Sequence, residues 1–199
     1  MARGWLLAIM FTTALVPPAT AQDTPGQDPG LGLWLGAGFG AGLGKVGCDV
    51  CRGEWEFAPS AQVSFGGTVS SILRIGVEGN GWLRNDSVFG VRDIMVGIGA
   101  VVYWYPRPGR YYVKAGFGPL FYRTEDAEVA EGDEPDPPIT STAFSGHLGV
   151  GYELRRGRFA FVPFFNVTAS MYGDLTQGDS RLTDVGLSLM QLGLAVRWQ

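Results

Sequence analysis

Leu31 to Gly44 reads LGLWLGAGFGAGLG, and its meaning lies in steps of two. One register holds Leu31, Leu33, Leu35, Ala37, Phe39, Ala41 and Leu43; the other holds Gly32, Trp34, Gly36, Gly38, Gly40, Gly42 and Gly44. Successive side chains of a β-strand point to opposite faces, so this is a strand with one oily face and one nearly bare face. A soluble sheet turns its apolar face inward and a polar face to water. Glycine is a poor residue for meeting water and a good one for a cramped interior. The stretch therefore predicts oil outside and little room inside, as in one stave of a small membrane barrel. Trp34 is the one large ring in the small register.

The totals agree with that reading. A chain of 199 residues is long enough for one domain with a core. Charged residues make up 17%, below the roughly 25% of an average soluble protein. Beyond the first segment no apolar run reaches the ~18 residues of a spanning helix. A membrane form must then be a closed barrel, because only helices and barrels satisfy their backbone groups in lipid. The net charge of -4 and pI near 5.0 argue against a nucleic-acid partner, which favours a basic face.

Residues 1–21 carry Arg3, the apolar run Trp5 to Val16, Pro17, Pro18 and the small triplet Ala19-Thr20-Ala21. This is the pattern of a cleaved secretory signal peptide, with the cut before Gln22. No cysteine follows the cut, so a lipoprotein is not indicated. Residues 22–30, QDTPGQDPG, form a polar linker, and 31–199 form the barrel domain. Period-two segments recur at Leu31 to Gly44, Ser60 to Ser70, Ile72 to Arg84, Arg92 to Tyr105, Tyr111 to Arg123, Thr142 to Leu154, Phe159 to Met171 and Thr183 to Trp198. Each reaches the roughly 9–11 residues of a tilted membrane strand.

The breaks between strands separate into long ones (Lys45 to Pro59, Thr124 to Ser141, Tyr172 to Leu182), an intermediate one (Asn85 to Val91) and short ones at Ser70-Ser71, Pro106 to Arg110 and Arg155 to Arg158. The predicted fold is all-β: an eight-stranded antiparallel up-and-down transmembrane β-barrel with long extracellular loops, short periplasmic turns and both termini in the periplasm. Trp104, Tyr105, Tyr111, Tyr112 and Trp198 are expected to form a girdle at the periplasmic rim, and Trp82, Phe121, Tyr122 and Tyr172 one at the outer rim. Pro119 and Pro163 fall inside strands, where each deletes a ladder hydrogen bond, and are read as bulges.

On these features the chain, from about residue 31 to 199, resembles the small eight-stranded outer-membrane β-barrels, the OmpA/OmpX-like and opacity-type, porin-like proteins. The resemblance rests on topology and on the last strand, where Met190, Leu192, Leu194, Val196 and Trp198 alternate up to an aromatic residue. In that family such a strand is the signal read by the barrel-assembly machinery; here Gln199 follows the aromatic. The resemblance implies the outer membrane of a Gram-negative-type bacterium, with outer-membrane lipid and lipopolysaccharide as neighbours. It implies a structural or surface-interaction role and no cofactor.

The inward register collects Arg74, Glu78, Lys114, His147, Glu153, Gln191 and Arg197. Eight strands leave an interior that side chains fill, so these charges are expected to pair as a plug, with Lys114 near Glu153. A gated pathway is the alternative. Cys48 and Cys51, in the first long loop, read as a local disulfide in an oxidising compartment. A zinc site would need two more ligands, and a redox motif a βαβ context. Ser145, His147 and Glu153 share a face, which raises a lipid-modifying enzyme as an alternative. Glu153 is six residues from His147, about 20 Å along a strand, too far to orient its imidazole.

The acidic segment Thr124 to Ser141 lacks the spacing of a calcium loop and reads as a solvated loop. The sequon at Asn166 lies in a predicted membrane strand and is set aside. No catalytic, cofactor or metal site is assigned. A secreted lipocalin-like barrel binding an apolar ligand is the remaining alternative; it needs the opposite polarity of faces.

Overall fold

A computed structural model of the chain describes residues 32–48, 53–86, 90–106, 110–126, 137–170 and 173–199. The signal segment, the linker, Cys51, Tyr172 and residues 127–136 of the acidic segment lie outside them. The period-two segments all form strands: β1 (Leu33–Cys48), β2 (Glu56–Ser70), β3 (Leu73–Asp86), β4 (Val91–Trp104), β5 (Tyr111–Asp126), β6 (Ile139–Tyr152), β7 (Leu154–Arg156), β8 (Phe159–Ser170), β9 (Gly173–Gln177) and β10 (Ser180–Trp198). β7 prolongs β6 and β9 prolongs β8, so ten strands make eight antiparallel staves. β1 pairs with β10 from Leu35 opposite Trp198 to Cys48 opposite Val185, which closes the barrel. Closure removes the exposed edge that an open sheet must protect.

The two faces of the opening stretch divide as its alternation predicts. Leu33 and Phe39 are 75% and 76% exposed on the outside, and Trp34 between them is 2% exposed in the lumen. The glycine register provides room. A Cβ on Gly66 would lie 2.7 Å from Cζ2 of Trp34 and 2.6 Å from the Cα of Gly76, and a Cβ on Gly44 would lie 2.9 Å from the Trp82 ring. Trp34 of β1 thus rests on glycines of β2 and β3, and Trp82 of β3 on glycines of β1.

Several expectations are corrected. Neither proline makes a bulge. The β5–β6 ladder runs unshifted past Pro119, and the β8–β10 ladder past Pro163. The missing proline N–H instead interrupts the other ladder of each strand: β4–β5 pairing skips from Gly97 to Ala100 opposite Pro119, and β6 breaks from β7 opposite Pro163. The register shifts lie between Thr68 and Ser70 and between Leu182 and Val185, where Asp184 has a positive φ of 62°. The long segment Tyr172 to Leu182 is largely a hairpin, with β9 pairing Ser180 to Leu182.

The girdles also thin out. Trp104, Tyr111, Trp198 and Phe121 are exposed, but Tyr105, Tyr112 and Trp82 are buried in the lumen and Tyr122 is half-buried. Trp104-Tyr105 and Tyr111-Tyr112 are consecutive pairs, and neighbours on a strand point to opposite faces.

If the glycine seats set the lumen packing, Gly66→Val should lower stability by about 1–3 kcal/mol, the usual range for overpacking. Gly81→Ala, on the outward face where a Cβ meets nothing within 4 Å, should change it by less than about 0.5 kcal/mol. Urea unfolding of vesicle-inserted protein measures both, and equal effects would refute the seating.

Candidate functional site

The candidate site is the lumen, into which every stave turns alternate side chains. At the end bearing the short turns, Glu153 is the hub. Its Oε1 accepts from Arg74 Nη1 at 2.9 Å, Arg197 Nη1 at 2.5 Å and the Tyr105 hydroxyl at 2.6 Å, and Arg155 Nη2 approaches its Oε2 at 2.7 Å. Charge-assisted bonds of this kind are the strong ones, and here they share one buried acceptor. The Arg197 guanidinium also lies 5.1 Å from the Trp34 ring, 4.7 Å from Tyr103 and 5.1 Å from Tyr112. Trp34 meets Tyr103 edge to face at 5.1 Å. Trp34 is therefore the cap of this ionic layer. Gln199, the residue after the final aromatic, accepts from Arg74 Nη2 at 3.1 Å.

Mid-lumen, the Lys114 ammonium lies 2.5 Å from Glu78 Oε1 with both side chains fully buried. Glu78 also accepts from the Tyr103 hydroxyl at 2.6 Å and from Asn80 Nδ2 at 3.2 Å. Lys114 reaches Gln62 at 3.5 Å, and Gln62 accepts from Asn166 at 2.9 Å. Tyr103 joins the two layers, bonding Glu78 at its hydroxyl while its ring lies against Arg197.

All seven predicted lumen residues are buried, but one expected pairing is wrong. Lys114 does not meet Glu153. It stands opposite Gly149 in the ladder, and the Glu153 N–H donates to the Arg110 carbonyl, four residues away along β5 and so about 13 Å. Gln191 donates weakly to the carbonyls of Ala61 and Gly81. Ser145, His147 and Glu153 form no triad: the Ser145 hydroxyl donates to the Gly118 carbonyl at 2.9 Å, and Glu153 is held by arginines. His147 Nε2 and Thr168 Oγ1 lack a protein partner and line a void of about 10 Å³, room for one water. Among the described residues no group of three His, Cys, Asp or Glu side chains is placed to hold a metal ion.

Two further layers fill the long-loop half and were not expected. Trp82, Met95, Leu120, Val185, Leu187 and Leu189 make an apolar layer on the inward face. Above it Arg84 pairs with Asp93 at 3.0 Å, Asp86 at 2.6 Å and Glu56 at 3.5 Å, and the hydroxyls of Tyr122 and Thr124 donate to Asp93. The signal for Gln62, Asn80, Asn166 and Tyr103 was present in the inward register. Trp82 and Tyr122 turn into the lumen and do not join the girdle expected of them, because strand ends attract both roles. Cys48 ends β1; its expected partner, Cys51, lies outside the described residues.

No family model matches the chain, and no curated protein sequence is significantly similar to it. Solved structures do match in shape. Ail, the attachment invasion locus protein of Yersinia pestis, superposes with a TM-score of 0.57 at 11% identity, over 83% of this chain and 98% of that one. Neisserial surface protein A superposes with a TM-score of 0.51 at 13% identity, over 83% of this chain and 96% of that one. At such identities the likeness is one of fold, and the fold is that of the small eight-stranded outer-membrane β-barrels.

Proposed function

We propose that the chain is an outer-membrane β-barrel with a structural or surface-contact role, its lumen closed by its own side chains. The observation that carries this reading is the inversion of its faces. Leu35, Phe65, Phe117, Leu148, Phe161 and Leu194 are exposed, while Glu78, Lys114 and Glu153 are buried inside. In water that distribution wastes apolar area and desolvates charge; in a bilayer it is what a barrel requires. The same inversion speaks against a lipocalin-like barrel. Ser145 and His147 face the lumen, away from lipid, which speaks against a lipid-modifying enzyme.

In this reading residues 1–21 are the cleaved signal, the long-loop end faces outward and Cys48 pairs with Cys51. Leu192, Leu194, Val196 and Trp198 are exposed along β10, which with the half-buried Met190 supports their role in assembly. Ail is the attachment invasion locus protein of Yersinia pestis, and contact through the long loops is the comparable role here.

Three experiments test the reading. In planar bilayers the inserted protein should give no unitary conductance above background; regular steps would overturn the closed lumen. On intact cells, external Glu-C protease should cut within 124–141 and leave the barrel whole; cleavage only after permeabilisation would overturn the orientation. Lys114→Met should cost about 3–5 kcal/mol by stranding the Glu78 carboxylate, and Lys114→Met with Glu78→Gln should recover much of it. Urea unfolding in vesicles measures that cycle, and additive losses would show that the pair is not coupled.

A further inference from the structure

The two ends of the barrel carry opposite charge. Among the described residues every carboxylate side chain except Glu78 and Glu153 lies at the long-loop end, including Glu54, Glu56, Glu125, Asp126 and Asp174. The short-turn end holds Arg74, Arg110, Arg155, Arg156, Arg158 and Arg197 against the single carboxylate side chain of Glu153. Glu153 takes up Arg74, Arg155 and Arg197. Arg110, Arg156 and Arg158 are exposed and make no ion pair among the described residues.

These three arginines lie at the ends of neighbouring staves. The start of β5 and the turn between β7 and β8 are adjacent on the rim, because β5 pairs with β6 from Tyr111 opposite Tyr152 and β7 continues β6. Backbone bonds hold Arg110 and Arg158 in place: the Glu153 N–H donates to the Arg110 carbonyl, and the Gln199 N–H donates to the Arg158 carbonyl at 3.0 Å. Arg156 stands opposite Phe159 across a turn in which Gly157 takes a positive φ of 62°.

Their depth is set by the rings beside them. Trp104, Tyr111, Tyr152 and Trp198 are exposed around the same rim, and such rings settle at headgroup level. Arg110 adjoins Tyr111, Arg158 adjoins Phe159 and Arg156 stands opposite Phe159, so their backbone positions lie within about one residue, roughly 3 Å, of ring-bearing positions at that level. That is where lipid phosphates are, and a guanidinium matches a phosphate through paired donors.

We infer that Arg110, Arg156 and Arg158, beside the Glu153-held Arg155, form a binding site for anionic phospholipid headgroups of the inner leaflet. The inference rests on the membrane reading proposed above. The site would anchor the short-turn end at one depth and orient the barrel, since the acidic end is repelled by the same headgroups.

The test uses the mature chain in vesicles of phosphatidylcholine with a minor fraction of phosphatidylglycerol. Insertion is scored first by the heat-dependent gel shift of a folded barrel, and lipid retained through detergent extraction is then counted by native mass spectrometry. Phosphatidylglycerol should be enriched at least about fivefold over its bulk fraction, the contribution of one arginine near an anionic surface, and 0.5 M NaCl should abolish the excess. Arg110→Gln/Arg156→Gln/Arg158→Gln should return retention to the bulk ratio, while Arg123→Gln at the opposite end should leave it unchanged. Failure of the wild type to insert would sink the membrane reading. Insertion without enrichment, or enrichment that survives both salt and the triple substitution, would overturn the headgroup site. Binding to purified peptidoglycan in place of lipid enrichment would also overturn it.

Discussion

Eight tilted staves enclose an interior only as wide as the side chains that fill it, and this limit orders the rest of the molecule. Trp34 needs Gly66 and Gly76 beneath it, and Trp82 needs Gly42 and Gly44. The glycines Gly42 and Gly44 of β1 are thus one half of a packing scheme whose other half is Trp82 of β3. Glycine weakens a strand by removing a packing side chain. Here the side chain arrives from another strand, so the contact is kept and only its covalent origin changes.

The same narrowness governs the charges. A carboxylate in such a lumen loses most of its water and must be compensated by donors on neighbouring walls. Glu153 is compensated by Arg74, Arg197 and Tyr105, which come from three other staves. Glu78 is compensated by Lys114, Tyr103 and Asn80. Because Tyr103 serves Glu78 while flanking Arg197, the two clusters form one network linking β3, β4, β5, β6 and β10 across the lumen. Hydrogen bonds of the ladders join only adjacent staves. The network joins staves that the ladders do not.

The staves were legible in the sequence because period two is imposed by the backbone and survives any partner. The inward positions of Arg74, Glu78, Lys114 and Arg197 followed from the same counting. Their partners did not follow, because which groups meet depends on the stagger of the staves and on side-chain reach: Lys114 points past its own ladder partner Gly149 to Glu78 on another stave. Trp82 and Tyr112 were misplaced for a related reason. An aromatic residue near a strand end satisfies either a girdle or a lumen cap, and only strict parity along the strand decides between them. The proline readings failed because a missing N–H can be absorbed as one lost rung without adding a residue.

The lumen has two halves of unlike chemistry, and the difference bears on how it is closed. Toward the short turns it is filled by paired charges clasped between rings; toward the long loops it is filled by Met95, Leu120, Leu187 and Leu189 under an ionic lid around Arg84. In the proposed reading an ion entering from outside would first meet the paired charges around Arg84, then lose its hydration against the apolar layer beneath them, and only then meet the clusters of Glu78 and Glu153. Those charges are already committed to each other, so little is recovered there to offset the desolvation. A solute apolar enough to cross the apolar layer gains nothing among those charges. In that reading the order of the layers opposes both classes of solute, and the side chains packed into the narrow lumen do the closing.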